Sequence, residues 1–333
     1  MQEKLNFLII GSNSFTGSHF ISHLLSLGYR VTGLSRSPEL DKAFLAYEWG
    51  LHKMETYKFF QYDLNIHQEE ISELIKKEKF SHIINFAAQS MVGQSWSFPE
   101  DWYNTNLVSL TKLINKIKDY DHIERFVSIT TPEVYGSTAG WVKENFNFCP
   151  STPYAISRAA QDLHLKAYFD NFNFPVNFTR AANVYGPGQS LYRIIPRAMI
   201  EALTKGKLTL DGGGQSERSF IHVKDVCDAT FKVSLKGSVG SSFHISTNET
   251  IKIIDLVKLI SNICGVEFND FVEVGPDRAG KDAAYLLDSS KIRKELGWSD
   301  SISLLTGIEE TLEWVKKNIK FLESYSREYK HKK

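Results

Sequence analysis

Leu5-Asn6-Phe7-Leu8-Ile9-Ile10-Gly11-Ser12-Asn13-Ser14-Phe15-Thr16-Gly17 is a nearly continuous apolar run, then a glycine-bounded loop, then a segment of helical character through Leu27. An apolar run of this length suits a strand buried on both faces, as in a parallel sheet. Gly11 permits a tight turn, Gly17 allows close packing of helix on strand, and Ser14, Phe15 and Thr16 fall where the helix begins. The free amides and partial positive charge of a helix N-terminus suit a pyrophosphate. Strand, glycine loop and helix in that order predict dinucleotide binding at the start of an α/β chain.

Five further strand-like runs continue the pattern. Tyr29 to Leu34 ends in Ser35-Arg36-Ser37, with no acidic residue. An Asp or Glu there would accept from an adenosine 2′-hydroxyl, whereas an arginine flanked by serines can hold a 2′-phosphate. Arg36 therefore favours NADP over NAD, a solvated arginine stacked on adenine being the other reading. Tyr57 to Tyr62 ends in Asp63-Leu64, and His82 to Phe86 runs into Ala87-Ala88-Gln89-Ser90. Small residues at 87 and 88 let backbone approach a cofactor, and Gln89 and Ser90 would face a substrate. Arg125 to Ile129 and Val176 to Arg180 complete the set. The pattern predicts an α/β fold, a Rossmann-type doubly wound parallel sheet over residues 1–180 with a return strand near 220–247. A smaller mixed domain, mainly for substrate, is expected over residues 181–333.

Composition narrows the classes. At 333 residues and 42% hydrophobic content the chain can bury a large core. Lys+Arg and Asp+Glu number 39 each, so nothing favours a nucleic-acid or membrane-surface partner. Cys149, Cys227 and Cys264 lack metal-ligand spacing and are few for a disulfide scaffold, which suits a reducing cytoplasm; no metal is expected. A strand beginning within five residues leaves no room for a signal peptide, and no apolar run approaches the ~20 residues of a membrane span. The basic, polar stretch from Tyr325 to Lys333 is expected to be a frayed tail.

The run Arg125 to Ile129 delivers Thr130, Thr131 and Glu133 to its C-terminal end, where open α/β sheets place their chemistry. Tyr154 and Arg158, four apart at the start of a helical segment (Ala155 to Tyr168), share one face. A phenol beside a fixed cation is a proton shuttle. Taken alone, the stretch also reads as a core strand, a loop and a helix without chemistry.

Tyr154 and Arg158 resemble the Tyr-x-x-x-Lys pair of the extended short-chain dehydrogenase/reductases, with arginine in place of lysine. Gly11, Ser14 and Gly17 resemble that branch's Gly-x-x-Gly-x-x-Gly, with serine in the middle. Thr130-Thr131-Pro132-Glu133-Val134-Tyr135-Gly136 looks like the corresponding segment of the nucleotide-sugar 4,6-dehydratases, and the likeness covers nearly the whole chain. The resemblance implies that Asp63 holds the adenine amino group, that Asn106 is a structural asparagine and that Asn183 donates to a diphosphate. It implies a diphosphate arginine at Arg218, within Asp211 to Asp225, whose Val-x-Asp caps a helix. Pro276 to Asp282 resembles the family's Arg-Pro-Gly-His-Asp segment, with Ala279 and Lys281 as departures, and contains Arg278. Two phosphates would explain why a neutral chain gathers Arg193, Arg197, Arg218 and Arg278 in its second half. A homodimer is expected by analogy.

The implied reaction converts a nucleotide-diphosphate hexose to its 4-keto-6-deoxy derivative. Tyr154, as phenolate beside Arg158, would take the C4 hydroxyl proton, and Thr131 would hydrogen-bond the C4 oxygen. A tyrosine must drop about three units from its usual value near 10, about 4 kcal/mol, which one cation about 4 Å away supplies at an effective dielectric of ~20. Glu133 would remove the C5 proton, made acidic by the C4 carbonyl. The dTDP-glucose dehydratases place an Asp before this Glu, where Pro132 stands here; in GDP-mannose dehydratases the Glu serves as both base and acid, which this sequence requires. Nucleotide-sugar decarboxylases also keep the Glu, and 4-epimerases usually lack it. A degenerate dinucleotide-binding sensor is the reading of a different class, which the joint presence of Tyr154, Glu133 and Thr131 opposes.

Overall fold

The structure is a computed structural model that describes residues 5–50, 54–138, 140–276 and 286–332. Seven parallel strands form its central sheet: β1 (Asn6–Ile10), β2 (Arg30–Ser35), β3 (Tyr57–Gln61), β4 (His82–Asn85), β5 (Arg125–Thr130), β6 (Val176–Ala181) and β7 (Ser242–Ile245). Their spatial order is β7-β6-β5-β4-β1-β2-β3. The chain thus winds outward one way from β1 and then, from β4, the other way, the doubly wound order expected. The switch lies between β1 and β4, where such sheets open a crevice beyond their C-terminal ends.

The apolar runs make strands because both faces of the sheet are covered. Phe7, Leu8, Ile9 and Ile10 are all buried, successive side chains pointing to opposite layers. Helices α1 (Phe15–Ser26) and α6 (Val223–Lys236) cover one face, where Phe20, Leu24, Val226 and Val233 meet Phe7 and Ile9. Helices α2 (Gln68–Glu78), α3 (Leu110–Ile117) and α4 (Pro153–Phe172) cover the other, where Ile75, Leu113 and Leu165 meet Leu8, Ile83 and Phe126.

A second core gathers helices α5 (Ile194–Leu203), α7 (Ile253–Cys264) and α8 (Leu304–Glu323) around Ile195, Met199, Leu256, Ile260 and Ile308. Short strand pairs of mixed direction accompany it: Leu208–Asp211 runs parallel to Val272–Gly275, and Glu217–Arg218 antiparallel to Ile251–Lys252. Asp225 of α6 accepts from the Ser301 hydroxyl at 2.8 Å and from the amides of Ser301 and Ile302 at 3.1 Å each, tying this region to the sheet. His222, not the Asp, is the residue that caps α6.

Residues 325–332 are tethered to the body at Tyr325, Arg327, Tyr329 and His331, contrary to the frayed tail expected, while the residues between stay exposed. The Tyr325 ring lies 5.0 Å from that of Phe44, and Arg327 pairs with buried Glu201 at 3.3 Å. Aromatic and ionic partners distant in sequence hold a stretch whose composition alone reads as solvated.

Candidate active site

The glycine loop takes its shape from close approach. Gly11 has φ +86°, and a Cβ there would sit 2.6 Å from the Ala87 amide nitrogen at the end of β4. At Gly17 a Cβ would meet the Gly11 carbonyl oxygen at 2.4 Å, so α1 rests directly on the turn. Ser14, at the place of the middle glycine, caps α1 by accepting from the Gly17 amide at 3.1 Å. Phe15 and Thr16 open the helix.

Beyond this loop lies a cavity of about 350 Å³, within the range of ligand pockets. Gly11, Ser14, Arg36, Asp63, Leu64, Ala87, Ala88 and Gln89 line it, together with Tyr192, Tyr329, Lys330 and Lys332. Residues from the ends of β1, β2, β3 and β4 therefore meet in one groove. Asp63 Oδ1 accepts from the Asn65 amide at 2.8 Å, so the carboxylate closes a turn and lines the groove at once. Asn106, in a π-helical turn (Asn104–Ser109), accepts from the Gln89 amide at 2.8 Å and donates to the Gln89 carbonyl at 3.0 Å and to Ser157 Oγ at 2.9 Å. The asparagine clamps the loop after β4 to α4. A tight turn that excludes any Cβ, an N-terminal helix end and a groove at the switch point together fit a dinucleotide.

At the end of β5 the catalytic candidates converge. Thr131 caps a short turn (Pro132–Tyr135) by accepting from the Glu133 amide at 3.4 Å, which fixes Glu133 beside the strand end. Tyr154 and Arg158 share the buried face of α4. Burial pushes the Tyr154 phenol above its ordinary value, and the Glu133 carboxylate pushes it the same way; Arg158, Thr131, which hydrogen-bonds it, and Arg193 pull it back. Expecting one cation to lower this phenol needs correction: in the chain by itself, desolvation outweighs the cations. The same interactions show that Thr131, Glu133, Tyr154, Arg158 and Arg193 form one electrostatic cluster.

Arg158 is 2% exposed, and its Nη2 donates to the Ile129 carbonyl at the end of β5. Its Nε and Nη1 are buried and have no hydrogen-bond partner among the described residues. One turn further along α4, Asp162 is fully buried and pairs with Arg180 of β6 at 2.8 Å, while the Thr130 hydroxyl donates to the same Asp162 oxygen at 2.8 Å. Arg180 also donates to Ser242 and lies under Tyr135, 5.4 Å from its ring centre, and Phe148, at 5.1 Å. Sequence reading missed this network. Asp162 follows Arg158 by four, a legible helical spacing, but Arg180 sits inside a strand with no local sign of its partner.

The other expected residues have these surroundings. The Asn183 amide donates to the Ser219 carbonyl at 3.1 Å. Arg193 precedes α5, stacked on Tyr192 at 5.4 Å, and Arg218 donates to the Glu217 carbonyl at 2.7 Å. Ser90 is exposed beside buried Gln89. Arg278 lies outside the described residues. Among the described residues no cluster of His, Cys, Asp and Glu suits a metal ion, and no helix is long and apolar enough to cross a membrane.

Comparison with known proteins agrees with this geometry. The family model described as GDP-mannose 4,6 dehydratase matches residues 8–311. The dTDP-glucose 4,6-dehydratase of Streptomyces niveus is 31% identical over 326 residues, 94% of each chain. The dTDP-D-glucose 4,6-dehydratase of Mus musculus is 30% identical, over 93% of this chain and 88% of its own. A solved dTDP-glucose 4,6-dehydratase of Streptomyces venezuelae, with NAD bound, superposes with a TM-score of 0.87 at 28% identity, over 95% of this chain and 98% of that one. A UDP-glucose 4-epimerase of Thermotoga maritima has a TM-score of 0.84 at 24% identity over 95% of this chain and 100% of that one, which shows the fold alone. A chain with this sheet order, glycine turn and Thr-Glu-Tyr cluster, matched by that model over almost its whole length, belongs to the nucleotide-sugar 4,6-dehydratase family of the extended short-chain dehydrogenases/reductases.

Proposed function

We propose that the protein converts a nucleoside-diphosphate hexose to its 4-keto-6-deoxy derivative by the residues gathered at the end of β5, beside a nicotinamide dinucleotide groove. The observation that carries this reading is that Thr131 hydrogen-bonds Tyr154 and caps the turn bearing Glu133, whose carboxylate acts electrostatically on that phenol. The dinucleotide supplies, when bound, a two-electron acceptor for C4 and the donor that returns the electrons to C6. Thr131 and Tyr154 hold the C4 hydroxyl, and Tyr154 takes its proton. Arg158 and Arg193 favour the phenolate that accepts it. Glu133 removes the C5 proton and, because Pro132 offers no acid, returns it to the departing C6 hydroxyl as water. As the electrons return to C6, C5 takes up one proton, balanced by the one Tyr154 took from the C4 hydroxyl, so the sum is loss of one water with no net redox change.

Gly11, Ser14, Phe15, Thr16, Gly17, Asp63, Leu64, Ala87 and Ala88 would hold the dinucleotide, and Nε and Nη1 of Arg158, without a partner among the described residues, would serve its ribose. Arg36, flanked by Ser35 and Ser37, supports NADP over NAD; a lower Kd for NADP, lost in Arg36→Ala, tests it. Gln89, Ser90, Asn183, Arg193, Arg218 and Arg278 would meet the nucleotide sugar. Residues 1–180 would thus serve the dinucleotide and 181–333 mainly the sugar nucleotide, in the cytoplasm, where cysteines stay reduced. A homodimer is proposed through α4, on which Ile156 and Leu163, seven apart, are 42% and 48% exposed; sedimentation at a monomer's mass would refute it.

Incubation with dTDP-, UDP-, GDP- and CDP-hexoses, read by mass, tests the reaction. Loss of 18 mass units from one donor supports it. Loss of 44 indicates a decarboxylase, altered retention at constant mass an epimerase, and dinucleotide binding without turnover a sensor.

A further inference from the structure

Residues Tyr329–Lys332 lie on the dinucleotide groove itself. The Lys332 carbonyl accepts from Gln89 Nε2 at 2.6 Å and from Arg36 Nη1 at 3.2 Å. Arg36 follows β2 and Gln89 follows β4, the two strands that flank β1. Side chains from beyond both neighbours of β1 therefore converge on this one carbonyl, at the rim of the groove that the glycine turn lines. Tyr329 faces Tyr192 edge-on at 5.6 Å, its hydroxyl donates to Gln89 Oε1 at 3.3 Å, and Tyr329, Lys330 and Lys332 line the cavity that Gly11 and Ser14 line from below.

The segment has its own anchor. The His331 imidazole lies between the rings of Phe98 at 4.8 Å and Trp102 at 5.0 Å, both nearly parallel to it, and bonds the Asp101 carboxylate at 2.7 Å. A histidine held on two faces and one edge fixes the backbone on both sides of it. Lys330 and Lys332 thereby line the same cavity as Arg36, three cations from two remote parts of a chain with no net charge.

We propose that Tyr329–Lys332 is a strap of the cofactor site: seated by His331, it closes the groove over the bound dinucleotide, and Lys330 and Lys332 contribute to holding its phosphates. The inference rests on the groove being a dinucleotide site, as proposed above. Such a strap slows release more than it speeds capture, because it must be unseated before the cofactor leaves.

The test compares the full chain, a chain ending at Glu328, which keeps the Arg327–Glu201 pair, and the double variant Lys330→Ala/Lys332→Ala. Dinucleotide release is followed by fluorescence after dilution, Kd by calorimetry at two salt concentrations, and thermal unfolding without cofactor. The shortened chain is expected to release NADP or NAD at least tenfold faster, with its cofactor-free melting temperature little changed. The lysine pair variant, which keeps the anchor, should bind several-fold more weakly and with a shallower salt dependence. Unchanged release and Kd in a full chain that binds dinucleotide would overturn the strap alone, as would tighter binding on shortening, which would make the segment a competitor for the groove. A full chain that binds no dinucleotide would overturn the site and the strap together.

Discussion

The guanidinium of Arg158 is fastened to the carbonyl of Ile129, the last but one residue of β5. The cation at the place of the family's lysine therefore bridges α4 and β5 through one arm of a planar fork that an ammonium lacks. With Thr131 and Arg193, its charge opposes the desolvation of the Tyr154 phenol.

Removing that field has a direct consequence. In Arg158→Ala the Tyr154 phenol loses a charge that favours phenolate, so its ionisation moves to higher pH. The rate at pH 7 should fall by about 10²-fold or more, with the rising limb of the pH–rate profile displaced upward by about one unit or more. Arg158→Lys, which keeps the charge, should restore the position of the limb; an unmoved limb in the alanine variant would remove Arg158 from the phenolate role.

Glu133→Gln separates the two halves of the reaction. C4 oxidation needs only the Tyr154 cluster, so single-turnover reduction of the cofactor should survive, visible as absorbance at 340 nm. Loss of water should drop by about 10³-fold because no base remains for C5. Dehydration at the parent rate would place the base elsewhere.

The pair Asp162 and Arg180 is fully buried, and its loss should be structural before it is catalytic. Asp162→Ala leaves Arg180 charged in the core and should cost about 3–5 kcal/mol. Replacing both by apolar residues, Asp162→Leu with Arg180→Met, should recover most of that in urea unfolding. A double variant as weak as the single one would show the network to be worth more than its charge.

Buried histidines set the acid limit of stability. Burial holds His19, His82 and His222 at about 4 and His244 at about 3, against an ordinary value of 6.5. The folded chain thus binds these protons less tightly than the unfolded one, so stability is complete above about pH 6.5 and is lost as pH falls toward 4. The melting temperature should drop by more than about 5 °C between pH 7 and pH 4.5. A flat profile over that window would mean that the four rings protonate without unfolding the chain.

Local rules carried much of this molecule into view. A buried parallel strand must be apolar on both faces and a dinucleotide turn needs glycine, so β1, Gly11 and Gly17 declare themselves in six or seven letters. Tyr154 and Arg158 share a face because helical spacing puts them there, whatever the rest of the chain does. The partners of those residues are another matter. Arg180 meets Asp162 only because β6 lies beside β5 under α4, Arg158 finds the Ile129 carbonyl only once that helix packs on that strand, and Tyr329 to Lys332 reach the groove only through an aromatic slot more than 200 residues earlier in the chain. Composition made that last segment look solvated, since charge and polarity describe a residue's cost of burial and not the partner that offsets it. Sequence by itself determined the strands, the turn and the residue types of the site; tertiary contact alone decided which charges compensate one another and what lies at the rim of the cofactor groove.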